Sequence, residues 1–348
     1  MSDYFISQVY PSDRRAMQQV ELLLSSEGIR RDKNLDYICA MYDENYNIIA
    51  TGGCFGSTLR CFAVRREHQG EGLLNAIVTH LIEVQFARGN LHLFLYTKCS
   101  SAKFFRDLGF YEIARIEGQI VFMENRRTGF SSYLKKLESK RIDAVRVAAM
   151  VINANPFTLG HQYLVEKAAL ENDILHLFIV SEDDSLVPFS VRKRLVMDGT
   201  AHLTNIQYHD SGSYIISKAT FPSYFQKDEK AVIESHAMLD LTVFTKIAHV
   251  LGIKCRYVGE EPNSLVTGIY NEIMKERLPQ NGIACTIVPR KTFHGTAISA
   301  STARQAIKEG DFELLSKLVP KTTLDFFLSP LAAPVIHRIR QEANVIHY

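Results

Sequence analysis

The chain has 348 residues, 46% of them hydrophobic and 22% charged, with a formal net charge of +2. That length gives about two domains, each able to bury its own core, and the near-neutral charge excludes a global basic field of the kind that draws nucleic acid. The longest apolar runs are too short to span a membrane, and the six cysteines and scattered histidines form neither a Cys-x-x-Cys pair nor a His-Glu-x-x-His zinc pattern.

In chain order, Met1 to Arg15 is polar and broken by Pro11, unlike a secretory signal. A cytoplasmic protein with reduced thiols is expected. Tyr37–Tyr42 and Ile48–Phe55 read as strands around the turn Asp43-Glu44-Asn45, and Leu59–Val64 as the next strand. Gln69-Gly70-Glu71-Gly72-Leu73-Leu74 leads into a helix to about Ala87, with Leu73, Ile77, Leu81 and Val84 on one face. Leu91–Tyr96 is a strand, Ser101 to Arg106 begins a helix that ends at Leu108-Gly109-Phe110, and Ile120–Glu124 closes the sheet. The basic clusters at Arg126-Arg127 and from Lys135 to Arg141 read as solvated surface, the latter on a helical connector.

Beyond the connector the pattern changes. Strands are expected at 145–153, 174–181, 204–209, 254–258 and 283–288, and helices at 160–172, 190–200, 230–250, 264–277 and 301–309. Such alternation predicts a mostly parallel sheet with helices on both faces, whose ligands bind beyond the carboxyl ends of the strands. The predicted fold class is α/β: an N-terminal α+β domain over 1–135 and a Rossmann-like domain over 143–348.

One stretch carries the chemistry. Val147–Ile152 is apolar and breaks into Asn153-Ala154-Asn155-Pro156-Phe157-Thr158-Leu159-Gly160-His161, a strand, a tight loop and a helix start. A helix N-terminus presents unpaired N–H groups and the positive end of its dipole, a natural phosphate site. Gly160 would admit close approach and His161 would donate to a phosphate oxygen. No Gly-Lys-Ser/Thr follows, so this is not a Walker loop. Thr158, Asn153, Asn155 and Phe157 are further candidates here. About 140 residues later, Ile298-Ser299-Ala300-Ser301-Thr302-Ala303-Arg304 offers hydroxyls at another helix start, Thr302 and Gln305 fit a capping box, and Arg304 would fork onto phosphate oxygens. Arg192, Arg194, Gly259, Glu261 and Arg290 sit near other strand ends and complete the set for nucleotide contact; the metal ligands stay open. For most of these a plain cap, turn or solvated face is the rival reading.

Thr158-x-Gly160-His161 and Ile298-Ser299-x-Ser301-x-x-Arg304 resemble the two motifs of the nucleotidylyltransferase superfamily. Together with Ser181-Glu182-Asp183-x-Ser185-x-x-Pro188-Phe189 and Ala219-Thr220-Phe221-Pro222-Ser223-Tyr224-Phe225, the stretch 145–310 resembles citrate lyase ligase. The resemblance implies an enzyme that activates acetate with ATP, Mg²⁺ riding on the phosphates, as acetyl-adenylate. It then acetylates the thiol of a dephospho-CoA-like arm on the acyl carrier subunit of citrate lyase. The Thr220–Phe225 patch would suit the acetate methyl and carboxylate. The N-terminal domain resembles the GNAT acetyltransferases, whose Gln/Arg-x-x-Gly-x-Gly/Ala motif is matched by Gln69-x-x-Gly72-x-Leu74, with Leu74 where a tiny residue normally admits the pyrophosphate. That domain is expected to recognise the carrier or its arm without a transfer of its own. Two alternatives stay open: an adenylyltransferase acting on a phosphopantetheine-like substrate, and a GNAT-based arm-binding module or acetyltransferase. Free AMP as product marks the ligase; an adenylylated dinucleotide marks the transferase.

Overall fold

The computed structural model describes residues 4–32, 34–181, 185–215, 229–260, 265–293 and 295–345. The chain divides into two units, Met1–Tyr133 with Lys218–Thr242, and Leu134–Ser217 with Val243–Tyr348. The sequence pattern placed the domains contiguously. It cannot show that one long helix is shared between units.

The first unit is built on β1 (Phe5–Gln8), α1 (Arg14–Ser26), β2 (Tyr37–Tyr42), β3 (Ile48–Phe55), β4 (Thr58–Val64), α2 (Leu73–Ala87), β5 (Phe94–Lys98), α3 (Ala102–Asp107), β6 (Tyr111–Ile116) and β7 (Ile120–Glu124). The sheet order is β1-β2-β3-β4-β5-β7-β6, antiparallel except where β4 runs parallel to β5. Strand side chains alternate between faces. Tyr37, Cys39 and Met41 of β2 therefore join a core with Leu73, Ile77 and Leu81 of α2, whereas Ile38 and Ala40 join Val20, Leu23 and Leu24 of α1. Three elements were not expected: β1, α1 and β6. In addition, β5 starts at Phe94 rather than Leu91, which is exposed.

α4 (Gly129–Glu138) is the connector helix, and Glu124 Oε1 accepts from Phe130 N in its first turn (2.6 Å). The second unit follows with β8 (Val147–Ile152), α5 (Leu159–Glu171), β9 (Ile174–Ile179), α6 (Phe189–Gly199), β10 (Ile206–Asp210), α7 (Glu229–Leu251), β11 (Cys255–Gly259), α8 (Leu265–Gln280), β12 (Ala284–Val288), the short hairpin β13 (Thr292–Phe293) and β14 (Thr296–Ala297), then α9 (Ala300–Glu309), α10 (Phe312–Leu318), α11 (Lys321–Leu328) and α12 (Ala333–Gln341). Thr242 of α7 marks the division between the units.

The five strands are all parallel in the order β10-β9-β8-β11-β12, so the expected α/β class with a Rossmann-like second sheet is the one observed. The order reverses direction at β8, which puts the topological switch point between β8 and β11. There β11 pairs with β8 only as far as Tyr257↔Met150, whereas β9 follows β8 to Ile152↔Ile179. The last residues of β8 and β11 part and open a crevice. Ala148, Met150 and Ile152 pack with Ala303, Ile307, Leu315, Phe327, Val335 and Ile339 in one core. The helices after β12 are thereby fixed to the sheet. Among the described residues no helix is long and apolar enough to cross a membrane.

Candidate active site

The loop 153–158 leaves β8 at the switch point. Ala154 has φ 52, a left-handed conformation costing a non-glycine residue about 1–2 kcal/mol, so its surroundings must hold it. Two buried arginines do so. Arg192 donates from Nε to Val187 O and from Nη1 to Val180 O, Asn153 O and Asn153 Oδ1. Arg304 donates from Nη1 to Asn155 O (2.5 Å), from Nε to Val345 O (2.7 Å) and from Nη2 to Ser301 Oγ (3.3 Å). Both guanidiniums are at most 1% exposed. Asn155 Oδ1 accepts from Val187 N, and its Nδ2 is buried with no partner among the described residues.

Helix α5 begins with Thr158 as N-cap. Thr158 Oγ1 accepts from His161 N (3.3 Å), while Thr158 N donates to His161 Nδ1 (3.1 Å). This is a capping box with histidine in the place usual for Glu or Gln. Because Nδ1 accepts an N–H, the neutral ring must carry its proton on Nε2. Desolvation, then Arg290 and Arg304, pull the His161 pKa down to about 4. His161 is a neutral imidazole with Nε2–H as a fixed donor, and the N–H groups of Leu159 and Gly160 have no partner among the described residues.

The two motifs meet. Besides the Arg304–Asn155 bond, a Cβ added at Gly160 would lie 2.9 Å from Ile298 O, so the α5 start and the residue before the α9 cap touch backbone to backbone. Ser299 caps α9, accepting from Thr302 N (3.0 Å) and paired with Thr302 Oγ1 (2.8 Å). Two helix starts thus face one crevice. Arg290, just beyond β12, donates from Nε to Glu260 O (2.8 Å), and burial lowers its pKa. Its effect on His161 places it within electrostatic reach of the imidazole.

The structure places the residues singled out in the sequence as follows. Arg192 and Arg304 turn inward onto protein acceptors. Arg194, two residues or about 200° around the helix from Arg192, is exposed with its guanidinium over the Phe326 ring. Phe157 is fully buried, stacked against His161 and pressed on Gly199, a packing residue. α9 is capped by Ser299, not Thr302, and Gln305 bonds Glu309 rather than closing a capping box. Asn153 is exposed but joined to Ser185 and Arg192. Gly259 ends β11, with its carbonyl accepting from Asn271. Glu261, the Ala219–Phe225 patch and most of Ser181–Asp183 lie outside the described residues. One cation was missed: exposed Lys291 lies over the Tyr163 ring of α5, and its adjacency to Arg290 was the available signal.

The first unit holds a second feature. Only Thr58↔Phe94 and Leu59↔Leu95 pair between β4 and β5, and the parted strands border a cavity of about 580 Å³ lined by Val64, Gln69, Gly72, Leu74, Lys98 and Ser101, among others.

A two-unit α/β protein with a crevice at the switch point of its parallel sheet is the class this architecture defines. The family profile of the citrate lyase ligase C-terminal domain matches residues 147–327. The citrate (pro-3S)-lyase ligase of Haemophilus influenzae is 36% identical over 90% of this chain and 96% of that protein. Its Escherichia coli namesake is 35% identical over 92% of each. The chain belongs to the citrate lyase ligase family. Among solved structures, the "Putative Nicotinate-nucleotide Adenylyltransferase" of Vibrio parahaemolyticus is 16% identical with TM-score 0.37, covering 58% of this chain and 99% of that one. The ribosomal-protein-S18-alanine N-acetyltransferase of Escherichia coli is 18% identical with TM-score 0.28, covering 35% and 92%.

Proposed function

We propose that this chain is the AMP-forming ligase that acetylates the acyl carrier subunit of citrate lyase and so activates that enzyme. The names of its relatives support the overall reaction. The observation that carries the mechanism is the meeting of the α5 and α9 starts around His161. A carboxylate oxygen of acetate attacks the α-phosphorus of ATP, the bond to the bridging oxygen breaks, and pyrophosphate leaves with its Mg²⁺. The carrier thiol then attacks the acetyl carbonyl, AMP departs, and the thiol proton passes to solvent. Mg²⁺ enters as part of the nucleotide substrate; among the described residues no group of three or more His, Cys, Asp or Glu is placed to hold a metal.

None of these steps needs a nucleophilic side chain. The protein supplies position and preorganised donors: His161 Nε2–H, the N–H groups of Leu159 and Gly160, and the cations of Arg290 and Lys291. Thr158 sets the imidazole. The first unit receives the dephospho-CoA-like arm of the carrier in the cavity between β4 and β5, without a transfer of its own. ATP as substrate and free thiols support a cytoplasmic reaction.

The test is acetate-dependent ATP–pyrophosphate exchange, with His161→Ala expected to lower the rate by about 10²–10³. Unchanged exchange in that variant removes His161 from the site.

A further inference from the structure

We propose that the segment Glu342–Val345, after α12, is a clasp that positions the catalytic loop through Arg304, which makes Arg304 a positioning residue for this reaction. The inference rests on the functional reading above.

The path is continuous. Val345 is 1% exposed, and its carbonyl accepts from Arg304 Nε. The opposite edge of the same guanidinium holds the carbonyl of Asn155. Asn155 Oδ1 in turn holds Val187 N, ahead of α6. One planar cation thus ties a late segment to the β8–α5 loop. Lysine, a point donor on a flexible stem, cannot span these acceptors. The segment is fastened a second time, by Lys308 Nζ to Glu342 O (2.6 Å) and Ala343 O (3.3 Å). α12 packs on α9 with Arg340 beside Gly310 at the far end of α9, and the segment after α12 runs back to Val345, which meets Arg304.

The loop needs such a tie. With Ala154 in the left-handed region, it persists only where neighbours over-determine it. Arg192 holds the Asn153 side and Arg304 the Asn155 side, and from Asn155 the chain runs directly to the Thr158 cap and His161. A loop set loose by an ångström moves Nε2–H away from the charge that develops on the phosphates. That is a loss in turnover and not in ground-state nucleotide binding.

The experiment is exchange kinetics and thermal unfolding on the full chain, on a chain ending at Gln341, on Arg304→Lys, on Lys308→Met, and on the shortening and Lys308→Met each combined with Arg304→Lys. A clasp predicts kcat per folded molecule down about tenfold or more in the chain ending at Gln341, with KM for ATP within about threefold. It also predicts that the double changes are no worse than Arg304→Lys alone. Lys308→Met loosens the segment from a part-exposed position and must lower kcat in the same coupled way; it keeps the question answerable where the shortened chain does not fold. If loss of 342–348 and Lys308→Met leave kcat intact while Arg304→Lys raises KM for ATP, Arg304 is a nucleotide contact and the clasp is overturned. An activity loss that only tracks a fall in Tm overturns it too. Absence of exchange in the unaltered chain would instead overturn the ligase reading beneath it.

Discussion

At residue scale, the mechanism proposed for His161 uses it as a hydrogen-bond donor, its tautomer fixed by the peptide N–H of Thr158. Protonating Nδ1 would set two N–H groups against each other and break the cap. With the pKa held near 4 by desolvation and two arginines, the donor is intact from mildly acidic to alkaline pH. The acid limb of the exchange kcat should therefore fall only as pH drops toward about 4, with none near the usual histidine value of about 6.5; a full pH–rate profile reads this directly. Gly160 makes a sharper test of the meeting of the two motifs. Its absent Cβ would lie 2.9 Å from a backbone oxygen, which cannot swing aside as a flexible side chain would. Gly160→Ala, normally favourable in a helix, should here lower stability by about 1–3 kcal/mol and depress exchange, seen as a reduced urea midpoint and rate. The helix start at Gly160 and His161 was legible from residue order, because a small residue and a donor at a helix start is a local pattern. The inward turn of Arg192 and Arg304 was not: both satisfy carbonyls that only the tertiary fold brings near, and Val345 carries no chemical signal in its side chain at all.

At the scale of elements, β9 and β10 carry a buried pair whose cost depends on pH. His176 Nδ1 lies 2.9 Å from His209 Nε2, the rings are 0% and 3% exposed, and the outer nitrogens His176 Nε2 and His209 Nδ1 have no partner among the described residues. Desolvation lowers His176 to about 4; desolvation, His176 and Lys140, opposed by Asp210, take His209 to about 3. Both values fall below the unfolded value of about 6.5, so the unfolded chain binds more protons between these limits. The stability contributed by the neutral pair is complete above about pH 6.5 and is lost as pH falls through that window, at up to about 1.4 kcal/mol per pH unit for each ring. Urea midpoints at pH 7 and 5 should differ in that direction, and His209→Gln should shrink the difference. Periodicity found β9 and β10 but could not pair their histidines, since strand register is not a local property. Conversely, Ala16, Val20, Leu23 and Leu24 behind Asp13 spell an amphipathic, capped helix, so α1 was readable in principle. β1 has four residues with alternating exposure, too few to stand out from a polar terminus.

For the molecule as a whole, the proposed mechanism separates two tasks: making the acetyl-adenylate, and presenting a carrier's thiol to it. The second unit contains every group assigned to the first task. The cavity of the first unit is the place assigned to the arm. Gly70 and Gly72 take φ 94 and 80 ahead of α2, a turn that brings backbone close to an occupant, and parted strands leave backbone N–H and C=O groups facing an extended chain. Deleting the first unit is a poor test, because the α7 residues up to Thr242 cluster with it and would lose their packing. Filling the cavity is cleaner. Ser101 lines it and makes no capping bond with its side chain, so Ser101→Trp adds bulk without removing a bond. The expected result is acetate-dependent exchange at the unaltered rate, with KM for the carrier raised about tenfold or more, as for loss of binding made equally in ground and transition states. Carrier acetylation that proceeds with unchanged KM in this variant would show that the arm does not enter the cavity, and the first unit would then have to contact the carrier protein by another surface.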